Sequence, residues 1–129
     1  MKTVLFVCVE NACRSQMAEG LFNQLASGKA KAISAGTRPA ERVNPSAVKV
    51  MKEIGIDISK QRPKLLTQGM IEDADKVVLM GCGAEECPLI PKDFEDWGIE
   101  DPSEKPLQTF RKVRDNIKRM VEGLIGEIE

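Results

Sequence analysis

The chain has 129 residues, 42% of them hydrophobic and 30% charged, which fits one globular domain and excludes a disordered or coiled-coil chain. Nineteen basic residues against twenty acidic ones leave a net charge of −1, so no overall field attracts a nucleic acid or a membrane surface. The sequence contains no histidine, which excludes Ser-His-Asp triads, Cys-His dyads and histidine-containing zinc sites.

The first predicted element is a strand. Residues 2–7 are mostly β-branched or aromatic, which is typical of a strand buried on both faces. The run is too short for a membrane span and lacks the cleavage site of a signal peptide, so we expect a cytoplasmic protein. A helix is predicted from residue 14 to about residue 25, with Gly28 just past its end. Its apolar residues recur at helical spacing: Met17, Leu21, Phe22 and Leu25.

The middle of the chain repeats the order of strand and helix. A second short strand at 31–35 is closed by Gly36. Asn44 and Pro45 are an N-cap followed by a first-turn proline, which predicts a helix that continues to Gly55. The apolar residues of this helix are Val48, Met51 and Ile54.

The last third of the chain contains two more predicted strands and a long helix. Residues 76–80 are as apolar as the first strand, and the glycines and prolines of the segment 81–93 predict a loop. A short strand is predicted at 94–97, and the apolar spacing over 107–128 predicts an amphipathic helix. Its basic residues are interpreted as a solvated face: Arg111, Lys112, Arg114 and Lys118.

This alternation predicts an α/β fold. We expect a single domain over residues 1–129, a doubly wound sheet of about four parallel strands with helices on both faces. Ligands of such sheets bind outside the carboxyl ends of the strands. Cys8 and Cys82 follow the first and third predicted strands, so both should face one crevice. No interface stripe is evident, and we expect a monomer.

The segment from Cys8 to Ser15 is a candidate oxyanion site. It consists of a cysteine, five residues, an arginine and a serine, placed between a buried strand and a helix start. Backbone N–H groups of such a loop can converge on one anion, and the helix dipole and a bidentate Arg14 add to the attraction. The N–H groups and the Ser15 hydroxyl would favour a Cys8 thiolate, which is a nucleophile. The candidate oxyanion-binding residues are Cys8, Val9, Glu10, Asn11, Ala12, Cys13 and Arg14.

Two other interpretations of the cysteines are open. Cys8 could be a buried thiol at a strand end, with Arg14 a solvated helix residue. The four cysteines also form two pairs with four residues between partners, Cys8 with Cys13 and Cys82 with Cys87, a spacing that structural zinc sites use. An arginine beside a metal would be misplaced, so we expect no metal.

Several separated blocks resemble the low-molecular-weight protein tyrosine phosphatases and, among them, the thioredoxin-coupled arsenate reductases. The resemblance covers essentially the whole chain, and its blocks follow one another in the family's order. They are 8–15, 14–20, 34–36, 43–45, 51–59, Cys82, 87–88, 97–98 and 101–102.

The resemblance implies reduction of arsenate to arsenite, as in arsenic detoxification, by a three-cysteine relay. Cys8 would attack arsenate, Cys82 would release arsenite and form a Cys8–Cys82 disulfide, and Cys87 would resolve it into a Cys82–Cys87 disulfide. Thioredoxin would reduce that disulfide, so no tightly bound cofactor is expected; glutaredoxin or a small thiol is the alternative donor. The four residues between Cys82 and Cys87 make a shorter loop than those reductases have.

The resemblance also assigns supporting residues. Asp101 would be the general acid that protonates the departing oxygen, in a loop that Pro102 fixes. Its alternatives are a structural role as a turn or N-cap residue, and Glu100 as the acid. Asn11 would brace the loop, and Ser15 would contact Cys8.

Part of a potassium site known in some of these reductases is also present. Asn11, Glu19 and Ser34 match it, but its remaining carboxylate would fall near Lys64, where this chain has none. We expect the Lys64 ammonium to replace the cation, so that no metal is required.

Three functions compete on these observations. The first is an arsenate reductase with weak phosphatase side activity. The second is a phosphatase that hydrolyses phosphotyrosine or other phosphomonoesters through a Cys8 phosphocysteine, although the chain has no tyrosine and few aromatic residues to wall a phosphotyrosine slot. The third is a non-catalytic zinc site or redox sensor, in which zinc loss would unfold the chain.

Overall fold

The computed structural model describes residues 2–81 and 94–128. The strands are β1 (Lys2–Cys8), β2 (Ala30–Gly36), β3 (Lys76–Leu79) and β4 (Phe94–Asp96). The helices are α1 (Arg14–Ala26), α2 (Pro45–Lys52), α3 (Gln68–Asp73) and α4 (Leu107–Ile128). None of the helices in these two ranges is long and apolar enough to cross a bilayer.

The four strands form one parallel sheet in the order β2-β1-β3-β4. β1 pairs with β2 over its whole length, from Lys2 opposite Ala30 to Cys8 opposite Gly36, and with β3 on its other side. β1 is therefore a central strand, and its residues 4–8 are buried as its β-branched and aromatic composition predicts. The predicted parallel α/β sheet is confirmed.

Successive side chains of β1 enter two separate apolar cores, because strand side chains alternate between faces. Val4, Phe6 and Cys8 join the larger core, which also contains buried residues of α1, α2 and α4. Leu5 and Val7 join the smaller one, which α3 covers. Helices therefore cover both faces of the sheet, as predicted, and Cys8 ends the central strand on the larger-core side.

Helix α3 is absent from the predicted elements. It has six residues, of which only Ile71 is buried, so it leaves no apolar periodicity to detect. The usable signal is Thr67, whose side chain accepts a hydrogen bond from the backbone N–H of Met70 and caps the helix. The predicted end of α2 is also too late, since Ile54 lies beyond the helix and is exposed.

The interpretation of Arg114 as a solvated residue is wrong. Its side chain is buried between α4 and α2, where Nη1 donates to the backbone oxygen of Val50 at 2.9 Å and to Glu53 Oε1 at 2.8 Å. Arg111 also donates to Glu53, through Nη2 at 2.9 Å. One carboxylate at the end of α2 thus holds two arginines of α4, a pairing across about 60 positions that helical spacing cannot reveal.

Replacing Glu53 with glutamine should lower the free energy of unfolding at neutral pH more than at acidic pH. The hydrogen bond from Arg111 is the largest influence, and with Arg114 it outweighs desolvation and lowers the pKa of Glu53 from 4.5 to about 2. A depressed carboxylate pKa stabilises the fold above about pH 4.5 and loses that contribution as the pH falls toward 2. Urea unfolding at pH 7, 4 and 2.5 should therefore show the two proteins converging in acid.

The matched control for this measurement is Glu41→Gln, because Glu41 is exposed and has no ion pair within residues 2–81 and 94–128. Its unfolding midpoints should follow those of the parent chain at every pH. An unchanged gap between Glu53→Gln and the parent from pH 7 to 2.5 would contradict the role of Glu53.

Candidate active site

The loop between β1 and α1 has its carbonyl groups turned outward. The oxygens of Val9 and Glu10 accept hydrogen bonds from the N–H groups of Arg38 and Ala40 at 2.8 and 2.9 Å. The oxygen of Ala12 accepts from Asn44 N at 2.9 Å, and that of Asn11 accepts from the buried side chain of Gln16 at 2.9 Å.

This arrangement determines where the N–H groups of the loop point. The N–H of a trans peptide lies opposite its C=O, and the described chain has no cis peptide bond. The N–H groups that follow the four outward carbonyls, those of residues 10–13, are therefore directed to the inside of the loop. Asn11 makes the curl possible by adopting a left-handed φ of 52°, which asparagine tolerates better than most residues. A ring of N–H donors of this kind binds anions.

The loop forms one wall of a pocket of about 220 Å³. The pocket is lined by Cys8, Val9, Glu10, Ala12, Cys13, Arg14, Arg38, Asp101 and Ser103. Most of the candidate oxyanion-binding residues therefore lie around one opening at the carboxyl end of the central strand. Asn11 is fully buried behind it.

Cys8 is buried, and its Sγ lies 2.8 Å from Ser15 Oγ, so the predicted contact with Ser15 is present. Asn11 Nδ2 donates to the same Oγ at 2.7 Å. Because Ser15 Oγ already accepts that hydrogen bond, its own proton is free to point to the Cys8 sulfur. The predicted bracing by Asn11 thus acts through Ser15, and Asn11 is itself oriented by the N–H of Lys64, which donates to its Oδ1 at 2.9 Å.

Arg14 is buried and clamped from behind. Its Nη1 donates to the backbone oxygens of Met80 at 2.8 Å and Ile99 at 3.0 Å. These two bonds fix the guanidinium plane and leave the other nitrogens for the pocket, where Nη2 lies 3.9 Å from Asp101 Oδ2. The alternative of a solvated Arg14 is excluded by this burial.

Asp101 lies on the opposite rim, and its side chain is about half exposed. Burial raises its pKa, but hydrogen bonds from Ser103 and the charge of Arg14 outweigh this and hold the pKa below its usual 3.8. Asp101 is thus a carboxylate at neutral pH. Glu100 does not line the pocket and pairs with Lys105 at 2.6 Å, which favours Asp101 as the acid.

Cys13 also lines the pocket, but its thiol is held in the protonated form. Cys13 is the N-cap residue of α1, and burial, with a further contribution from the charge of Asp101, raises its pKa to about 12. Its thiol therefore stays protonated throughout the range in which a nucleophile would have to act.

We expect Cys13 to resist iodoacetamide in the native protein at pH 8. A pKa of about 12 leaves a thiolate fraction of roughly 10⁻⁴ at that pH, about a thousandfold below that of a free cysteine. Peptide mapping by mass spectrometry should find Cys13 unlabelled in the folded chain and fully labelled after unfolding in urea. Labelling of native Cys13 as fast as of the urea-unfolded thiol would contradict the assignment.

The surroundings of Lys64 agree in geometry with the expected replacement of a cation. Its Nζ lies 3.7 Å from Glu19 Oε1, an oxygen that also accepts a hydrogen bond from Ser34 at 2.7 Å. Within residues 2–81 and 94–128 no group of three or more Cys, Asp or Glu side chains could hold a metal ion. That no metal is required stays a prediction.

Three residues of the site were missed by sequence reasoning. Arg38 and Ser103 line the pocket, and Gln16 holds the loop from behind. The sequence does contain a signal for Ser103. This residue lies two positions after Asp101, and an aspartate with a serine at this spacing often forms a local side-chain turn. Two predicted site residues, Cys82 and Cys87, lie outside the described residues.

Comparisons with known proteins agree with this geometry. A family model described as low molecular weight phosphotyrosine protein phosphatase matches residues 3–129. The chain is 44% identical over 131 residues to a protein of Synechocystis sp. named glutaredoxin arsenate reductase, and 41% identical over 125 residues to arsenate reductase 2 of Staphylococcus epidermidis. These alignments cover 99% and 95% of each chain, respectively. A solved structure of an arsenate reductase in a phosphate-binding state is 43% identical, covers 100% of both chains and superposes with a TM-score of 0.90.

Proposed function

Since the chain belongs to the low-molecular-weight phosphotyrosine protein phosphatase family, we propose that it is an arsenate reductase whose relay begins at Cys8. The observation that supports this most is that Cys8 lines the pocket. The carbonyl groups of the loop point away from this pocket, so the N–H groups of the same peptides point into it. Two relatives are named arsenate reductases and align with this chain over almost their whole length. Their names support the choice of arsenate over other oxyanions as the substrate.

The first step of the proposed reaction uses residues of the described pocket. The N–H groups of residues 10–13 and the free nitrogens of Arg14 bind the arsenate oxygens. The Cys8 sulfur forms a bond to arsenic, and one hydroxyl group of the arsenate leaves as water after it gains a proton. Asp101 supplies a proton to that oxygen. Because Asp101 is a carboxylate at neutral pH, it has to take up this proton when the anion binds, and the negative charge of the anion then offsets the charge of Arg14.

The later steps use the cysteines of the segment that follows β3. Cys82 attacks the sulfur of Cys8, the electron pair of the sulfur–arsenic bond passes to arsenic, and arsenite leaves with a Cys8–Cys82 disulfide behind it. Cys87 then attacks Cys82, which frees Cys8 and forms a Cys82–Cys87 disulfide. The two electrons delivered to arsenic thus come from two thiols, and an external dithiol must restore them.

The donor is proposed to be thioredoxin, on the resemblance of the motifs alone. Glutaredoxin is the competing donor, because the Synechocystis relative carries it in its name. Parallel assays with each donor and its own reductase would separate the two, with arsenite formation as the readout.

The second candidate is a phosphomonoester phosphatase. The family model favours it, and the same nucleophile, N–H ring and acid would form and hydrolyse a phosphocysteine. The described pocket lining contains no aromatic residue to stack on a phosphorylated aryl group, so we expect phosphatase turnover as a weak side activity.

A single-turnover experiment tests the proposal. Fully reduced protein is mixed with arsenate, quenched with an alkylating agent and digested, and its disulfides are mapped by mass spectrometry. We expect a Cys82–Cys87 disulfide that appears with arsenate and not with phosphate, together with one equivalent of arsenite. Cys87→Ser should stop the reaction at the Cys8–Cys82 disulfide.

The outcome against the reductase is equally clear. If arsenate leaves all four cysteines reduced while a phosphomonoester is hydrolysed, the protein is a phosphatase. If zinc is found by elemental analysis and its removal unfolds the chain, neither catalytic function applies.

A further inference from the structure

Ser103 makes two hydrogen bonds to a single oxygen of Asp101. Its backbone N–H lies 3.0 Å and its hydroxyl oxygen 2.6 Å from Asp101 Oδ1. Between the two residues lies Pro102, which is buried and fixes the turn, and whose oxygen accepts from the N–H of Lys105 at 3.0 Å. The Asp101 side chain is thus held by its own turn.

The two carboxylate oxygens of Asp101 consequently differ. A carboxylate oxygen has two acceptor sites, and the two hydrogen bonds from Ser103 occupy both of those on Oδ1. A proton placed on Oδ1 would therefore cost one of these bonds. Oδ2 receives no hydrogen bond from the described residues and faces the pocket, 3.9 Å from Arg14 Nη2. Oδ2 is the oxygen on which a proton can sit without breaking the turn.

We propose that Ser103 is a positioning residue that occupies Oδ1 of Asp101, so that Oδ2 passes the proton to the departing oxygen of the bound oxyanion. The inference rests on the proposed function, because it takes Asp101 as the general acid. The inference adds Ser103 to the residues that the reaction needs, although Ser103 does not contact the reacting atoms. Without the hydroxyl, Oδ1 keeps only the hydrogen bond from the backbone N–H, so the orientation of the carboxyl group is less firmly fixed.

Several charged or titratable groups also face Asp101 and enter its titration. Arg14 and Lys105 favour the carboxylate, and Cys13 faces it across the pocket. Glu10 and Arg38 line the same pocket. None of these groups changes when Ser103 is replaced, so a difference between variants at position 103 isolates the hydroxyl.

The test compares Ser103→Ala with Ser103→Thr, which keeps a hydroxyl; both keep the backbone N–H. The Asp101 pKa is measured by NMR titration of ¹³C-labelled aspartate carboxyl groups in phosphate-free buffer, with Asp101→Asn for assignment. We expect Ser103→Ala to raise this pKa by about one unit, since a hydrogen bond to the charged form is lost. The basic limb of the pH profile of single-turnover arsenate reduction should also shift upward, with a maximum several-fold lower, and threonine should restore both.

A matched control comes from a second turn of the same kind. Asp57 Oδ1 accepts from the Ser59 N–H at 2.8 Å, and the Ser59 side chain also lowers the pKa of Asp57, away from the pocket. Ser59→Ala should raise the Asp57 pKa in the same titration and leave the pH profile of turnover unchanged.

Two results would overturn the inference at different points. An Asp101 pKa that is the same in the parent and in Ser103→Ala would mean that Ser103 does not hold the carboxylate. A raised pKa with an unchanged pH profile would mean that Asp101 is not the acid, a failure that lies with the proposed function rather than with the contact.

Discussion

Cys8→Ser should lower the rate of arsenate turnover by a factor of about 10⁴ or more. Its Kd for inorganic phosphate should stay within about threefold of that of the parent chain. A serine hydroxyl is a far weaker nucleophile than a cysteine thiolate, and the chain contains no histidine to activate it. The groups that hold the anion, the N–H groups of residues 10–13 and Arg14, are unaffected by the change. Activity and affinity should therefore separate.

Calorimetric titration with phosphate and a single-turnover arsenite assay measure the two quantities. Arg14→Lys is the contrasting variant, because it loses the planar clamp and should weaken phosphate binding along with turnover. Turnover of Cys8→Ser within a hundredfold of the parent would mean that another thiol is the nucleophile. Loss of phosphate binding in this variant would mean that the pocket depends on the sulfur itself.

Gly36→Ala should damage the anion site although residue 36 does not line it. A Cβ on Gly36 would lie 2.5 Å from the backbone oxygen of Val9 and 2.9 Å from the backbone nitrogen of Asn11. Both are main-chain atoms of the anion loop, so the loop has to move. We expect the free energy of unfolding to fall by about 1–3 kcal/mol and kcat/KM for arsenate by about 10².

Gly123→Ala serves as the control, because residue 123 lies inside α4 and a Cβ there meets nothing within 4 Å. It should raise stability by about 0.5–1 kcal/mol and leave kcat/KM unchanged. Thermal unfolding and steady-state kinetics of both variants give the comparison. A Gly36→Ala protein with parental kcat/KM would show that the loop tolerates displacement.

The sheet and the nucleophile loop could be predicted because their signals are local. A central parallel strand needs a continuous apolar run, which β1 has, and the loop from Cys8 to Ser15 carries its donors and its clamp within eight positions. The position of Arg14 beside Met80 and Ile99 could not be predicted, since those carbonyls reach it only through the packing of the sheet.

The residues that sequence reasoning missed depend on distant partners or leave weak patterns. Arg114 is spaced like any exposed helix residue, and only its contact with Glu53 on another helix explains its burial. Gln16 follows the loop in sequence, but its role appears only once the curl of Asn11 brings a carbonyl to it. Ser103 is the exception, because its partner is two residues away.

The N–H ring of the loop has a consequence for how this pocket can change. Its donors are peptide groups, which every amino acid except proline supplies, so the side chains at Val9, Glu10 and Ala12 are not needed to hold an oxyanion. Those side chains still line the opening. Substitution at these three positions can therefore alter which group attached to the anion is admitted without rebuilding the anion site. Backbone atoms of the loop thus provide the affinity for the tetrahedral anion, and side chains of the loop provide the selectivity for the group attached to it.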